Sequence, residues 1–262
     1  MRCALFAIVP PGRQQRIFQI VRPSWHKYAE ENNIDLIIVE RQLAGHVYWD
    51  RWMAYNAPET KGYDALALVD NDVVIAPTAP NIFTQSGWDE DRISCANESV
   101  QAGWDSSFLH NYNRQHALST SILYPVHNFG VSLFPRSRAS LIGELFSYWK
   151  KDIRPKLITS QSSFYITEAD GPFLSWNLQD RLELQSLPVP FNNLFPHWYA
   201  NHVGTSYRNF ILLCKLAETL KPYIPKSVWK SLFSTQLSRV KSFVNTSYFA
   251  HFAGSKCPMS LI

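Results

Sequence analysis

Within the apolar run DALALVDNDVVIAPTAP, residues 64 to 80, Asp70-Asn71-Asp72 sets two carboxylates two positions apart. Ionised carboxylates are too costly to bury among aliphatic side chains unless a cation meets them. In an extended chain, residues two apart project to the same side. Asp70 and Asp72 can therefore offer oxygens to one ion while Asn71 faces away. Hard oxygen ligands of this kind suit Mg²⁺ or Mn²⁺, which keep open positions for phosphate oxygens. The plain alternative is two solvated carboxylates in a turn.

The elements around this pair must place it. CALFAIVP is a wholly apolar run ending in a Pro-Pro-Gly loop, and RQQRIFQIVRPSWHKYAEENN follows at helical spacing, with Pro23 expected to kink or restart the helix. IDLIIVE is a second buried strand, GHVYWDRWMAYNA reads as a helix carrying Trp49, Arg51 and Trp52, and DALALVD is the next strand. Strand, helix and strand within some forty residues form a βαβ start, which favours a parallel sheet with a ligand crevice at the carboxyl ends of its strands. Asp70 and Asp72 fall at that edge. RISCANE and NFGVSLF read as further strands, and RASLIGELFSYWKK and DGPFLSWNLQDRL as helices. QAGWDSSFLHNYNRQHALSTS is a long polar and aromatic loop, the kind that touches substrate or moves.

Composition narrows the class. The chain has 262 residues, 46% of them hydrophobic, enough for one large α/β domain. A formal charge of +4 without long basic runs in the first two hundred positions argues against nucleic acid. Cys3, Cys95, Cys214 and Cys257 are far apart and form no CxxC pair, which fits a reducing compartment. The N-terminus lacks a small-residue cleavage site and reads as a core strand, and no run approaches the ~18 apolar residues of a membrane span. The expectation is a cytoplasmic protein. Between Thr205 and Asn245, seven basic residues face one acidic residue, a surplus larger than the whole-chain charge. That segment is either a helical lid with a solvated basic face or a peripheral contact with the inner face of an anionic membrane.

In chain order, VDNDVVI, HNFGVSLF, EADGPFLSWNLQD and HFAGSK together resemble the metal-dependent GT-A glycosyltransferases, most closely those of glycosyltransferase family 8. The resemblance covers residues 1–204, as a catalytic domain with a Rossmann-like nucleotide-sugar sheet flanked by helices, and the tail 248–262. The basic helical segment 205–247 lies outside it. The resemblance implies that Asp70, Asp72 and His251 hold Mn²⁺ or Mg²⁺ on the diphosphate of a nucleotide sugar, uridine-linked by preference, with Gly254 and Lys256 beside the phosphates; His202 competes for the histidine role. It implies that Asn128 and Gly130 border the donor sugar, where Phe129 replaces the family alanine and narrows the pocket. It puts Asp170, or Glu168 as alternate, on the donor sugar, the acceptor or a proton, although either can instead cap the helix near Pro172. Pro10, Arg13 and Arg51 are implied at the nucleotide and donor.

The expectation is a retaining sugar transferase acting on a saccharide or glycolipid acceptor of a surface polysaccharide pathway. A nucleotidyltransferase would also use a Rossmann-like sheet and carboxylate-bound Mg²⁺, but with a Gly-rich phosphate loop where PPGRQQ has only Gly12. A carbohydrate-binding module would leave the paired aspartates without a task.

Overall fold

The computed structural model of the chain describes residues 1–105, 107, 109, 125–159, 168, 170–203, 212–213, 216, 219–220 and 222–252. Its centre is a six-stranded sheet made of β1 (Cys3–Ile8), β2 (Asp35–Val39), β3 (Ala65–Val69), β5 (Ile93–Asn97), β6 (His127–Pro135) and β7 (Leu184–Leu187), in the order β2-β1-β3-β6-β5-β7. The sheet is mixed rather than parallel, because β6 runs antiparallel to both β3 and β5. Alternation explains the apolar runs: Leu5, Ala65, Ala67 and Val69 enter one buried cluster, and Ala4, Phe6, Leu66 and Leu68 the other. Both faces are covered, so both parities must be apolar.

Helix α1 (Arg13–Glu31) covers one face and continues through Pro23 as a single element. Trp25 Nε1 donates to the Val73 carbonyl at 2.8 Å, and Ser24 Oγ accepts the Ile75 N–H at 3.1 Å, so α1 also holds the strand that follows Asp72. The YWDRW region forms a 3₁₀ stretch over Asp50–Asn56 rather than an α-helix. Short helices α2 (Ile82–Gln85) and α3 (Glu98–Ala102) flank β5. Helices α4 (Ala139–Tyr148) and α5 (Arg154–Thr159), joined by a π-type turn, precede α6 (Gly171–Asp180), which packs along β6.

A second, three-stranded sheet has the order β4-β9-β8, made of β4 (Val73–Ile75), β8 (Asn193–Leu194) and β9 (Phe249–His251). Helix α7 (Phe195–Val203) follows β8, and α8 (Lys226–Leu232) and α9 (Ser234–Asn245) precede β9. Trp229, Phe233, Val240 and Phe243 share a buried cluster with Phe195, Phe249 and Phe252. The ring centroids of Phe195 and Phe243 stand 4.9 Å apart. One face of α8 and α9 is thereby packed into the core beside β9.

Candidate functional site

Asp70 ends β3 and Asp72 precedes β4, and the chain turns between them: the Val73 N–H donates to the Asp70 carbonyl at 3.1 Å. A tight turn, not strand alternation, brings the carboxylates together. Asn71 does face away, and its amide donates to the Ile8 carbonyl at 2.8 Å, closing the end of β1. The third member arrives by strand register. β9 pairs antiparallel with β4, Val73 opposite His251, and the Phe252 N–H donates to the Asp72 carbonyl at 3.0 Å. His251 Nε2 then lies 3.3 Å from Asp72 Oδ1 and 3.9 Å from Asp70 Oδ2.

One ligand atom from each of Asp70, Asp72 and His251 lies within 4.8 Å of the other two. Two carboxylates and an imidazole form a convergent set suited to a hard divalent ion. On the β6 side the histidine is closely fitted. A Cβ on Gly130 would lie 2.0 Å from His251 Cε1 and 2.4 Å from Nδ1, so the histidine ring occupies space that only glycine leaves open. Burial draws the His251 pKa down, but Asp72 and Asp70 outweigh it and the net direction is up. Burial raises the Asp70 carboxyl, against the pull of Arg51 and His251.

Arg51 ties this group to Asp170. One guanidinium nitrogen donates to Asp70 Oδ1 at 2.5 Å and to the Phe129 carbonyl at 3.1 Å, and the other donates to Asp170 Oδ2 at 3.0 Å. Trp52 Nε1 adds a bond to the same Oδ2 at 2.6 Å. Arg51 Nε is buried and finds no acceptor among the described residues. Burial opposes the charge on Arg51, yet Asp170 and Asp70 hold its pKa above the ordinary arginine value. The Phe129 carbonyl is available because β6 leaves regular pairing with β5 at Cys95/Ala96, a bulge of the kind that re-aims groups beside sites. The Phe129 ring is buried edge-on against Trp52 at 5.1 Å, and the residue borders the cleft.

These residues line a cleft of about 690 Å³ at the carboxyl ends of β1 and β3, within the size range of small-molecule sites. Pro10, Asp70, Asp72, Asn128, Gly130, Arg51, Asp170 and His251 all border it. Arg13 opens α1. Asp170 sits at the N-cap of α6 without making a side-chain cap bond, its carboxylate being taken up by Arg51 and Trp52. Glu168 is not among the cleft-lining residues; it pairs with Arg154 at 2.6 Å and His46 at 3.3 Å. Burial opposes the Glu168 charge, but these two partners bring its pKa below the usual carboxylate value. His202 stacks on Trp198 and bonds its carbonyl, away from the aspartates. Gly254 and Lys256, and most of the long polar loop, lie outside the described residues.

Several groups at the cleft carry no sequence signal. Asp50 Oδ1 collects the N–H groups of Leu43, Ala44 and Gly45, at 3.0, 2.5 and 3.1 Å, and so fixes the loop that brings Val47 and Tyr48 to the cleft. Glu98 pairs with His197 at 3.0 Å, and burial lowers the His127 pKa to about 4. Asn192, fully buried, touches His251 Nδ1 at 3.0 Å.

The sheet, its flanking helices and the cleft at the strand ends define the GT-A glycosyltransferase fold. Among solved structures, this chain is similar to a glycosyltransferase involved in the glycosylation of the major capsid of PBCV-1, with a TM-score of 0.51 and 12% identity over 79% of this chain and 90% of that one. It is also similar to mouse xyloside xylosyltransferase 1 in its apo form, with a TM-score of 0.45 and 11% identity over 77% and 90%. A third is the galactosyltransferase LgtC in complex with donor and acceptor sugar analogs, with a TM-score of 0.48 and 9% identity over 78% and 80%. The likeness is one of fold. No protein-family profile and no curated protein matches the chain.

Proposed function

We propose that this protein is a glycosyltransferase that moves a hexosyl group from a nucleoside diphosphate sugar, uridine-linked by preference, to a saccharide or glycolipid acceptor. The observation that carries the reading is the convergence of Asp70, Asp72 and His251 at a large cleft on the strand-end edge of a GT-A sheet. A divalent ion held there, Mn²⁺ or Mg²⁺, would neutralise charge that develops on the leaving diphosphate. The chain's own residues do the rest. Arg51 brings a permanent positive charge to the boundary between Asp70 and Asp170. Among the described residues, the bonds from Arg51 and Trp52 to Asp170 both fall on Oδ2, and the residue is cast as an orienting group for a sugar hydroxyl. Transfer with retention of configuration is the form this reading takes. The resemblance adds Lys256 and Gly254, which lie outside the described residues, at the phosphates.

Among the described residues no helix is long and apolar enough to cross a membrane. Exposed Tyr223, Val228 and Leu232 beside exposed Lys226 and Lys230 support contact with an anionic membrane surface, where a glycolipid acceptor would be met.

A thermal-shift panel of UDP, GDP, CDP and ADP and their sugar conjugates, each with and without Mn²⁺, tests the function, since a ligand of the folded state raises the melting temperature. A shift with one diphosphate that requires Mn²⁺ and vanishes in Asp72→Ala is the expected result. With nucleoside triphosphates, sugar phosphates and free glycans added to the panel, a shift with a triphosphate and a sugar phosphate would favour nucleotidyl transfer, and one with free glycan alone would favour a binding module.

A further inference from the structure

We propose that Asn192 is the positioning residue that sets the ring tautomer of His251, and that it does so through a hydrogen-bond relay anchored in the backbone of β6. The inference rests on the metal-site reading and adds to it a residue outside the cation's own ligands.

The relay has an orientation because its first donor is a backbone group. The Gly130 N–H donates to the Asn128 side chain at 2.9 Å, so the Asn128 atom facing it is the oxygen, Oδ1. That Oδ1 and the Asn128 backbone carbonyl both face the Asn192 side chain, at 3.2 and 3.1 Å. Two acceptors demand the amide NH₂, so Asn192 must turn Nδ2 toward Asn128 and Oδ1 the other way. Asn192 Oδ1 meets His251 Nδ1 at 3.0 Å. An amide oxygen only accepts, so Nδ1 must carry the proton. In a metal-ligating histidine the remaining nitrogen, Nε2, then presents its lone pair, and Nε2 is the atom that faces Asp72 and Asp70. A ring nitrogen held by such a partner has its tautomer and its angle fixed together.

Register supplies the placement. Asn192 ends a 3₁₀ turn, Val189–Asn192, directly before β8, and β8 pairs in parallel with β9 so that Leu194 lies opposite His251. Asn192 is 0% exposed, so bulk water does not reach its amide.

The test compares Asn192→Leu with Asn192→Asp by Mn²⁺ uptake, read from the loss of the free-ion electron paramagnetic resonance signal. Leucine removes the acceptor, and Mn²⁺ affinity is expected to fall about 10- to 100-fold. Aspartate keeps an oxygen opposite Nδ1 yet sets a carboxylate against two Asn128 oxygens; its Mn²⁺ affinity stays within about threefold of the parent although its metal-free melting temperature drops at least as far. A purely structural role predicts the reverse order, because aspartate is the worse fit. Equal loss in both variants, or none in Asn192→Leu, overturns the proposal. Should a variant not fold, ¹⁵N resonances of the His251 ring in the Mg²⁺-loaded parent decide: a proton on Nδ1 supports the relay, and a proton on Nε2 refutes it. If the parent takes up no Mn²⁺ that Asp72→Asn removes, the metal reading itself fails, a result distinct from failure of the relay alone.

Discussion

Gly130→Ala tests how closely β6 is fitted to the histidine. The added Cβ would stand 2.0 Å from His251 Cε1, where carbon atoms rest at about 3.5 to 4.0 Å. The ring must therefore withdraw by roughly 1.5 Å or β6 must yield, and neither is free to do so. His251 is held at Nδ1 by Asn192, and its strand is held by the pairing with β4 and by the bond from Phe252 to Asp72. On the other side the Gly130 carbonyl accepts the Asp70 N–H at 2.7 Å, so any shift of β6 also moves a carboxylate of the same group. Ligand positions tolerate about 0.2 Å, and a displacement several times larger should weaken Mn²⁺ binding by at least ~100-fold, as loss of one ligand would. Overpacking costs about 1–3 kcal/mol, or roughly 2–12 °C in melting temperature for a chain of this size. Gly143→Ala is the matched control, since a Cβ there meets nothing within 4 Å on a helix; it should stabilise by about 0.4–1 kcal/mol. Mn²⁺ uptake and thermal melts read both variants. A Gly130→Ala protein that binds Mn²⁺ within threefold of the parent and melts at the same temperature would refute the placement of His251 over β6.

Three further outcomes follow from the same geometry. Arg51→Met strands Asp170, whose side chain is 5% exposed; breaking a buried pair costs about 3–5 kcal/mol, and urea unfolding should show a loss toward the lower figure because Asp70 keeps some solvent, with an unchanged midpoint rejecting the pairing. His127 has a folded pKa of about 4 against an ordinary 6.5, so the unfolded chain takes up the proton first as pH falls. Its contribution is complete above about pH 6.5 and is lost on descending to about pH 4, worth roughly 3 kcal/mol; His127→Leu should flatten the stability profile in that window, and an unaltered slope counts against the buried neutral ring. Lys226→Gln with Lys230→Gln should reduce co-sedimentation with anionic vesicles by roughly tenfold or more at low salt, at about 1 kcal/mol per lysine, and leave neutral vesicles unaffected; unchanged binding removes the membrane contact.

Much of the sheet was legible because its physics is local. The apolar runs of β1, β2 and β3 and the 3.6-residue pattern of α1 follow from burial on two faces or one, and both survive tertiary packing. Strand direction is not encoded that way: NFGVSLF reads equally well in either sense, and only pairing with β3 and β5 made it antiparallel. YWDRW had helical spacing, but Met53 breaks the α geometry within it. Asn192 was invisible because its importance lies in a partner, His251, that strand register brings from the far end of the chain. Asp170 was read as a sugar-facing or capping carboxylate; its bonds to Arg51 and Trp52 depend on a 3₁₀ stretch and a bulge that no periodicity reports.

The question posed by two carboxylates in an apolar run has an answer in charge balance. Among the described residues around the turn, Asp70, Asp72 and Asp170 bring three carboxylates, and Arg51 contacts the first and third. His251 can add a positive charge only while protonated, which is the direction in which Asp72 and Asp70 drive it. A divalent ion together with Arg51 matches the three carboxylates with His251 neutral, the state in which Nε2 is free to act as a ligand. On the proposed reading, a doubly charged cation would bind first and the diphosphate would follow it.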